Sequence, residues 1–200
     1  MLMRTTFISL DAKRFEQNFR DMPNSIPLTR WQEILSRSND VMEVAEILSE
    51  LDLSEMVSKG DYVTLPKSAA PIVLAVCQAD CMTAQYQILY TDFFFADLEA
   101  SRPNTDGLNS DALSAWETFL KLADLSNVFR SHLPWWLQAA ATQRNYFAGL
   151  LTPLEVHEVN AYRESLLQVI NNSKDADGLF QVISDADISG DWVLCLEPGT

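Results

Sequence analysis

Hydrophobic residues recur along this chain mostly at helical spacing, and the breaks between those runs divide it into elements. Residues 4–10 (RTTFISL) depart from that spacing: β-branched and aromatic, they predict a first strand. Asp11 then stands where a helix cap belongs, and Phe15, Phe19 and Met22 follow at spacings of four and three. Pro23, Asn24 and Pro27 end that helix. Thr29 with Gln32 reads as a capping box for a second helix that buries Trp31, Ile34 and Leu35. Asp40 with Glu43 reads the same way for a third, striped by Val41, Val44, Ala45, Leu48 and Leu51, and Gly60 closes a short turn that begins near Ser54.

Residues 61–71 predict a loop or a short strand, with 62–65 as the strand. After Pro71, the residues Leu74, Cys77, Cys81, Ala84 and Ile88 repeat at three and four, which predicts one helix across them all. Ile72, Val73 and Val76 make its first half apolar nearly all round, as a helix at the centre of a core would be, and Asp80 is expected on its outward side. Residues 101–110 (SRPNTDGLNS) read as a surface loop or weak boundary, followed by a stripe of Leu113, Trp116, Leu120 and Ala123.

Residues 132–172 predict two helices joined at 149–152. Pro134 suits the first turn of one, Trp136, Ala139, Ala140 and Phe147 share its face, and Gly149 stops it. Thr152-Pro153-Leu154-Glu155 is a capping box for the next, whose inward face is Val159, Tyr162, Leu166 and Val169. The tail reads as a polar turn at 173–178, a short apolar piece at 179–183, an acidic turn at 185–191, and a final strand from Trp192 to Leu196 able to pair with the first. The fold class is α+β and predominantly α-helical: one compact domain over residues 1–200 with a few short strands near the two termini.

Composition narrows this. A chain of 200 residues with 48% hydrophobic content is globular and large enough to need no staples. Its three cysteines, Cys77, Cys81 and Cys195, form neither an even framework nor a metal pattern, which suits reduced thiols in a cytoplasmic protein. The first residues lack a charged segment leading into an apolar run, so no secretory signal is expected, and no apolar run is long enough for a bilayer. Charge is the strongest bulk signal. Residues 1–38 carry six Lys/Arg against four acids, whereas the remainder carries eight against 24, a net charge of −16 on that part. Such a surface repels phosphate backbones, which argues against nucleic acid, and steers a basic protein inward.

Candidate chemistry is sparse. His157-Glu158 is half of a zinc-helix pattern, but the place of the second histidine is Ala161. Cys77 and Cys81 on a core helix are expected to be inert thiols, and no phosphate-binding glycine loop, dinucleotide fingerprint or GxSxG is present, so no cofactor is implied. Asp185, Asp187, Ser189 and Asp191 match the opening of a calcium loop with Gly190 at the turn, yet Leu196 stands where the closing Glu belongs. Trp135 and Trp136 are neighbours about 100° apart on a helix, so they cannot share one face. The expectation is a non-enzymatic acidic module that binds a basic protein partner, such as an immunity or inhibitor protein or a dedicated chaperone, through Trp135, Trp136, Glu155, His157 and Glu158. The alternatives are a small hydrolase-like enzyme using His132 or His157 as acid–base, and a calcium-binding turn at 185–191.

Overall fold

A computed structural model describes residues 3–38, 58–59, 61–90, 104–122, 133–144, 146–170 and 174–198. The third helix expected from Asp40, Gly60 and His132 lie outside the described residues, and of the turn expected from Ser54 to Gly60 only Ser58–Lys59 is described, as a strand.

The frame is a four-stranded antiparallel sheet. Its strands are β1 (Met3–Leu10), β5 (Met82–Tyr90), β6 (Tyr146–Leu151) and β7 (Trp192–Pro198), in the order β5-β1-β7-β6. The two expected terminal strands are therefore the inner pair, with Thr6 opposite Leu196 and Leu10 opposite Trp192. A smaller sheet joins β2 (Ser25–Pro27), β3 (Ser58–Lys59) and β4 (Tyr62–Thr64).

Alternation along the inner strands sends apolar side chains to both faces of the sheet. Ile8, Leu10, Trp192, Leu194 and Leu196 belong to one buried cluster, and Phe7, Val193 and Cys195 to another. The first cluster is completed by α1 (Ala12–Phe15), α2 (Leu28–Ser38), α3 (Ala70–Cys81) and α5 (Trp135–Arg144). Completing the second are α4 (Ser110–Leu120), α6 (Pro153–Ala161), α7 (Arg163–Val169) and α8 (Lys174–Ser189). Two helical layers thus flank one sheet, and the described part of the fold is compact α+β with most of its elements helical.

Local chemistry explains where the helices begin. Asp11 Oδ1 accepts from the Arg14 N–H at 2.8 Å, as a cap does, and α1 runs into a π-helical turn at Glu16–Arg20. Leu28, one place before the expected cap Thr29, already opens α2, because its N–H is held by the Asp61 carbonyl at the edge of the small sheet. The nearly all-round apolar α3 is central, as expected, but Asp80 is buried rather than outward. Its carbonyl accepts from Arg14 Nη1 at 2.9 Å, and its Oδ2 lies 3.4 Å from the Asn18 amide.

Three expectations are corrected. The helix expected to run through Ala84 and Ile88 stops at Cys81, and residues from Met82 form β5. Ala84 and Ile88 are four apart, which fits a helical and a two-residue period equally, whereas Thr83, Gln85 and Gln87 alternate outward as a strand requires. Residues around Gly149 form β6 instead of a helix end, so Phe147 does not share a helix face with Trp136. Finally, 174–189 is one helix rather than two turns around a short apolar piece.

That last correction disposes of the calcium-loop geometry. Asp185, Asp187 and Ser189 are the final turns of α8, and Gly190 is its left-handed stop at φ +70°. The Asp191 N–H reaches back to the Ala186 carbonyl at 2.8 Å, closing a Schellman-type end. An αL glycine after a helix and the sixth residue of a calcium loop ask for the same residue type, which is why the motifs coincide in sequence. Asp191 itself turns inward and is 6% exposed. Its carboxylate accepts from Thr83 Oγ1 at 2.9 Å, Ser9 Oγ at 3.2 Å and the Ala12 N–H at 3.3 Å, tying β1, β5 and α1 together. Asp191→Ala orphans these donors and is expected to lower folding stability by about 2 kcal/mol; a urea melt with an unchanged midpoint would contradict that role.

Candidate functional site

The adjacent tryptophans are explained by the end of the π-helical turn. Carbonyls at a helix C-terminus keep acceptor capacity, and the Phe19 carbonyl, which takes the Met22 N–H at 3.3 Å, accepts a further donor. Trp136 is fully buried and its indole N–H donates to the Phe19 carbonyl at 2.9 Å, with its ring edge-on to Phe19. Trp135, half-buried, donates to the Met22 carbonyl at 2.7 Å. Their angular divergence on α5 lets them reach two carbonyls of one segment. Trp136 is therefore corrected as an interaction anchor, since no part of it meets solvent.

Beside Trp135 opens a cleft of about 730 Å³ between the π-helical turn, β6, β7 and the start of α6. On one side Arg20 lies over the Trp192 ring, 5.6 Å from its centroid, and Phe15 packs on that ring at 5.1 Å. On the other side Lys121 Nζ meets Glu155 Oε1 at 2.6 Å. The expected capping box is formed: the Thr152 N–H donates to Glu155 Oε2 at 2.8 Å and the Glu155 N–H to Thr152 Oγ1 at 3.3 Å. Burial pushes the Glu155 carboxyl upward, but Lys121 and the Thr152 donors together outweigh it and hold its pKa below the ordinary value. Glu155 is thus an ionised, fully engaged group rather than a free acid.

His157 and Glu158 stand elsewhere, on the two flanks of the outer face of α6. Glu158 accepts from Ser114 Oγ at 2.7 Å and Thr118 Oγ1 at 3.2 Å on α4. His157 Nδ1 lies 2.9 Å from Asp187 Oδ1 on α8, a contact that puts its proton on Nδ1, and Asn160 donates to the other oxygen of Asp187 at 2.8 Å. Between those flanks Leu154 is 83% exposed, and Ile188 on α8 is 83% exposed as well. Of the residues expected to form one surface, the structure therefore brings Trp135 and Glu155 to the cleft, His157 and Glu158 to the outer face, and Trp136 into the core.

The layer that carries this outer face is strongly acidic. Helices α4, α6, α7 and α8 carry nine acidic residues, four of them on α8, against Arg163 and Lys174. Across the sheet, α1 with its π turn, α2, α3 and α5 hold six Lys/Arg against three acids. Among the described residues the two helical layers thus differ in sign of charge.

The cysteines offer no nucleophile. Cys77, Cys81 and Cys195 are buried free thiols, and burial first of all pushes Cys77 and Cys195 well above the ordinary thiol range. Among the described residues no group of three or more His, Cys, Asp or Glu side chains is placed to hold a metal ion. No helix among them is long and apolar enough to cross a membrane.

Sequence reasoning missed Arg20, Lys121, Trp192, Leu154 and Ile188. Leu154 sits off the Val156–Val159 stripe of its own helix, and that was the available signal for its exposure. Arg20 with Trp192 and Lys121 with Glu155 are pairs made only by the tertiary fold. No protein family, curated protein or solved structure matches this chain.

Proposed function

We propose that this chain is a non-enzymatic binding protein that takes a basic protein partner on the outer face of the α4–α6–α8 layer. The observation that carries the reading is the pairing of two aliphatic side chains, Leu154 and Ile188, each 83% exposed, with the carboxylates of that layer. Isolated exposed apolar residues are ordinary on protein surfaces. Two on neighbouring helices, within a layer whose acids outnumber its lysines and arginines, supply what an acidic interface needs: apolar contacts with negative charge around them. The carboxylates steer a cationic partner and select against anionic ones, and the aliphatic pair contributes short-range affinity. An inhibitor of a basic toxin or a dedicated chaperone works by these forces.

The test uses the full chain as bait at low and high ionic strength, alongside Leu154→Ser/Ile188→Ser and Glu117→Gln/Asp185→Asn. All four positions are exposed, so the variants keep the fold. Retention of a basic protein at low salt, its loss at high salt, and its loss from both variants support the reading. A wild-type chain that retains no specific protein, or variants that retain the same one undiminished, overturn it.

A further inference from the structure

The cleft beside Trp135 is separate from the outer face, and it contains a surplus of hydrogen-bond donors. Its inner charges are spent on each other: Glu155 Oε1 is taken by Lys121 and Oε2 by the Thr152 N–H. The Trp135 N–H is spent on the Met22 carbonyl, which leaves the ring as a wall. One charged donor is not spent in this way. Trp192, only 5% exposed, forms part of the lining. Above the same indole lies the Arg20 guanidinium, whose ion pair with Asp21 is long, at 3.8 Å, with Asp21 85% exposed to screening water. The guanidinium is thus left with N–H donors to offer a ligand in the cleft it lines.

We propose that this cleft binds a small aromatic carboxylate, with its carboxylate on Arg20 above the Trp192 ring and its ring against Trp135. The volume of about 730 Å³ lies within the range of small-molecule sites. Met22, Leu133 and Leu150 line it with apolar surface for the body of such a ligand. Arginine matches a carboxylate through two parallel N–H bonds, and the ring contacts add stacking area without a further charge. A phosphate ester fits less well. Among the described residues, beyond the locked Lys121–Glu155 pair the cleft has one cation, Arg20, with Asp21 next to it, and the helix start at Thr152 is closed by its own capping box. The inference stands apart from the basic-partner reading, since none of its residues lies on the outer face.

Calorimetric titration with 1-naphthoate, paired with its neutral counterpart 1-naphthalenemethanol, tests it. The wild-type chain is expected to bind one naphthoate saturably, with the alcohol weaker by at least about tenfold, the usual worth of a charge-assisted bond. Arg20→Gln, at an exposed side chain, is expected to lose naphthoate affinity by a similar factor while its thermal melt stays unchanged. Leu154→Ser/Ile188→Ser is expected to bind as wild type does. Absence of saturable binding, equal affinity for acid and alcohol, undiminished binding by Arg20→Gln, or loss of binding in the outer-face variant would each overturn the proposal.

Discussion

Trp136→Ala is expected to lower folding stability by about 4 kcal/mol, the range for truncating a fully buried large aromatic. Trp136 is the largest side chain buried to completion, it packs on Phe19, and it closes the Phe19 carbonyl. Two losses coincide: a cavity between α5 and the π-helical turn, and a carbonyl left without its indole donor. Trp136→Phe separates them, because it keeps much of the apolar volume and removes the N–H; it is expected to cost more than the hydrogen bond alone, whose share is about 1 kcal/mol. Trp135→Ala is expected to cost clearly less than Trp136→Ala, since that ring is only half-buried. Urea midpoints at constant slope read all three. Equal effects at the two tryptophans would contradict their assignment to a core and a cleft wall.

Gly149→Ala carries the second large effect, about 3 kcal/mol of destabilisation. A Cβ at this position would stand 2.3 Å from the carbonyl oxygens of both Lys121 and Leu122. Those are backbone atoms, so relief requires moving either β6 or the turn that follows α4. Gly149 is opposite Cys195 in the sheet, so moving β6 disturbs its ladder with β7. It would also displace Lys121 from Glu155. Gly107→Ala is the control: nothing lies within 4 Å of its Cβ, and the change is expected to stay within about 0.5 kcal/mol of neutral. A Gly149→Ala protein as stable as Gly107→Ala would show that the turn does not press on β6.

The parts of this fold that could be read from the chain were those whose cause is local. The strand from residue 4, the last strand, the Asp11 cap and the Thr152–Glu155 box rest on neighbours in sequence, and all four are present; the two strands also pair, as expected. The misread parts were those in which local signals are degenerate. Ala84 and Ile88 satisfy two periods, the short apolar run from Tyr146 to Leu151 has no period of its own, and D-x-D-x-S-G suits a helix stop as well as a metal loop. Candidate sites were less legible still. Trp135 and Glu155 were singled out for exposure and capping, but their meeting across one cleft depends on how α5 and α6 dock on β6. Arg20 over Trp192 spans almost the whole chain, and no local pattern announces such a pair.

The charge asymmetry, by contrast, was visible as a basic first segment and an acidic remainder, and among the described residues the helical layers on the two faces of the sheet differ in sign. The central claim is that the acidic layer draws its partner electrostatically. It is tested most directly by the association rate constant for the basic protein retained by the wild-type chain, measured against ionic strength for the wild type and for Glu117→Gln/Asp185→Asn. The account predicts a rate that falls steeply with added salt in the wild type and a shallower slope in the variant, as removal of steering charge requires. A rate independent of ionic strength, or identical slopes for both proteins, would contradict it.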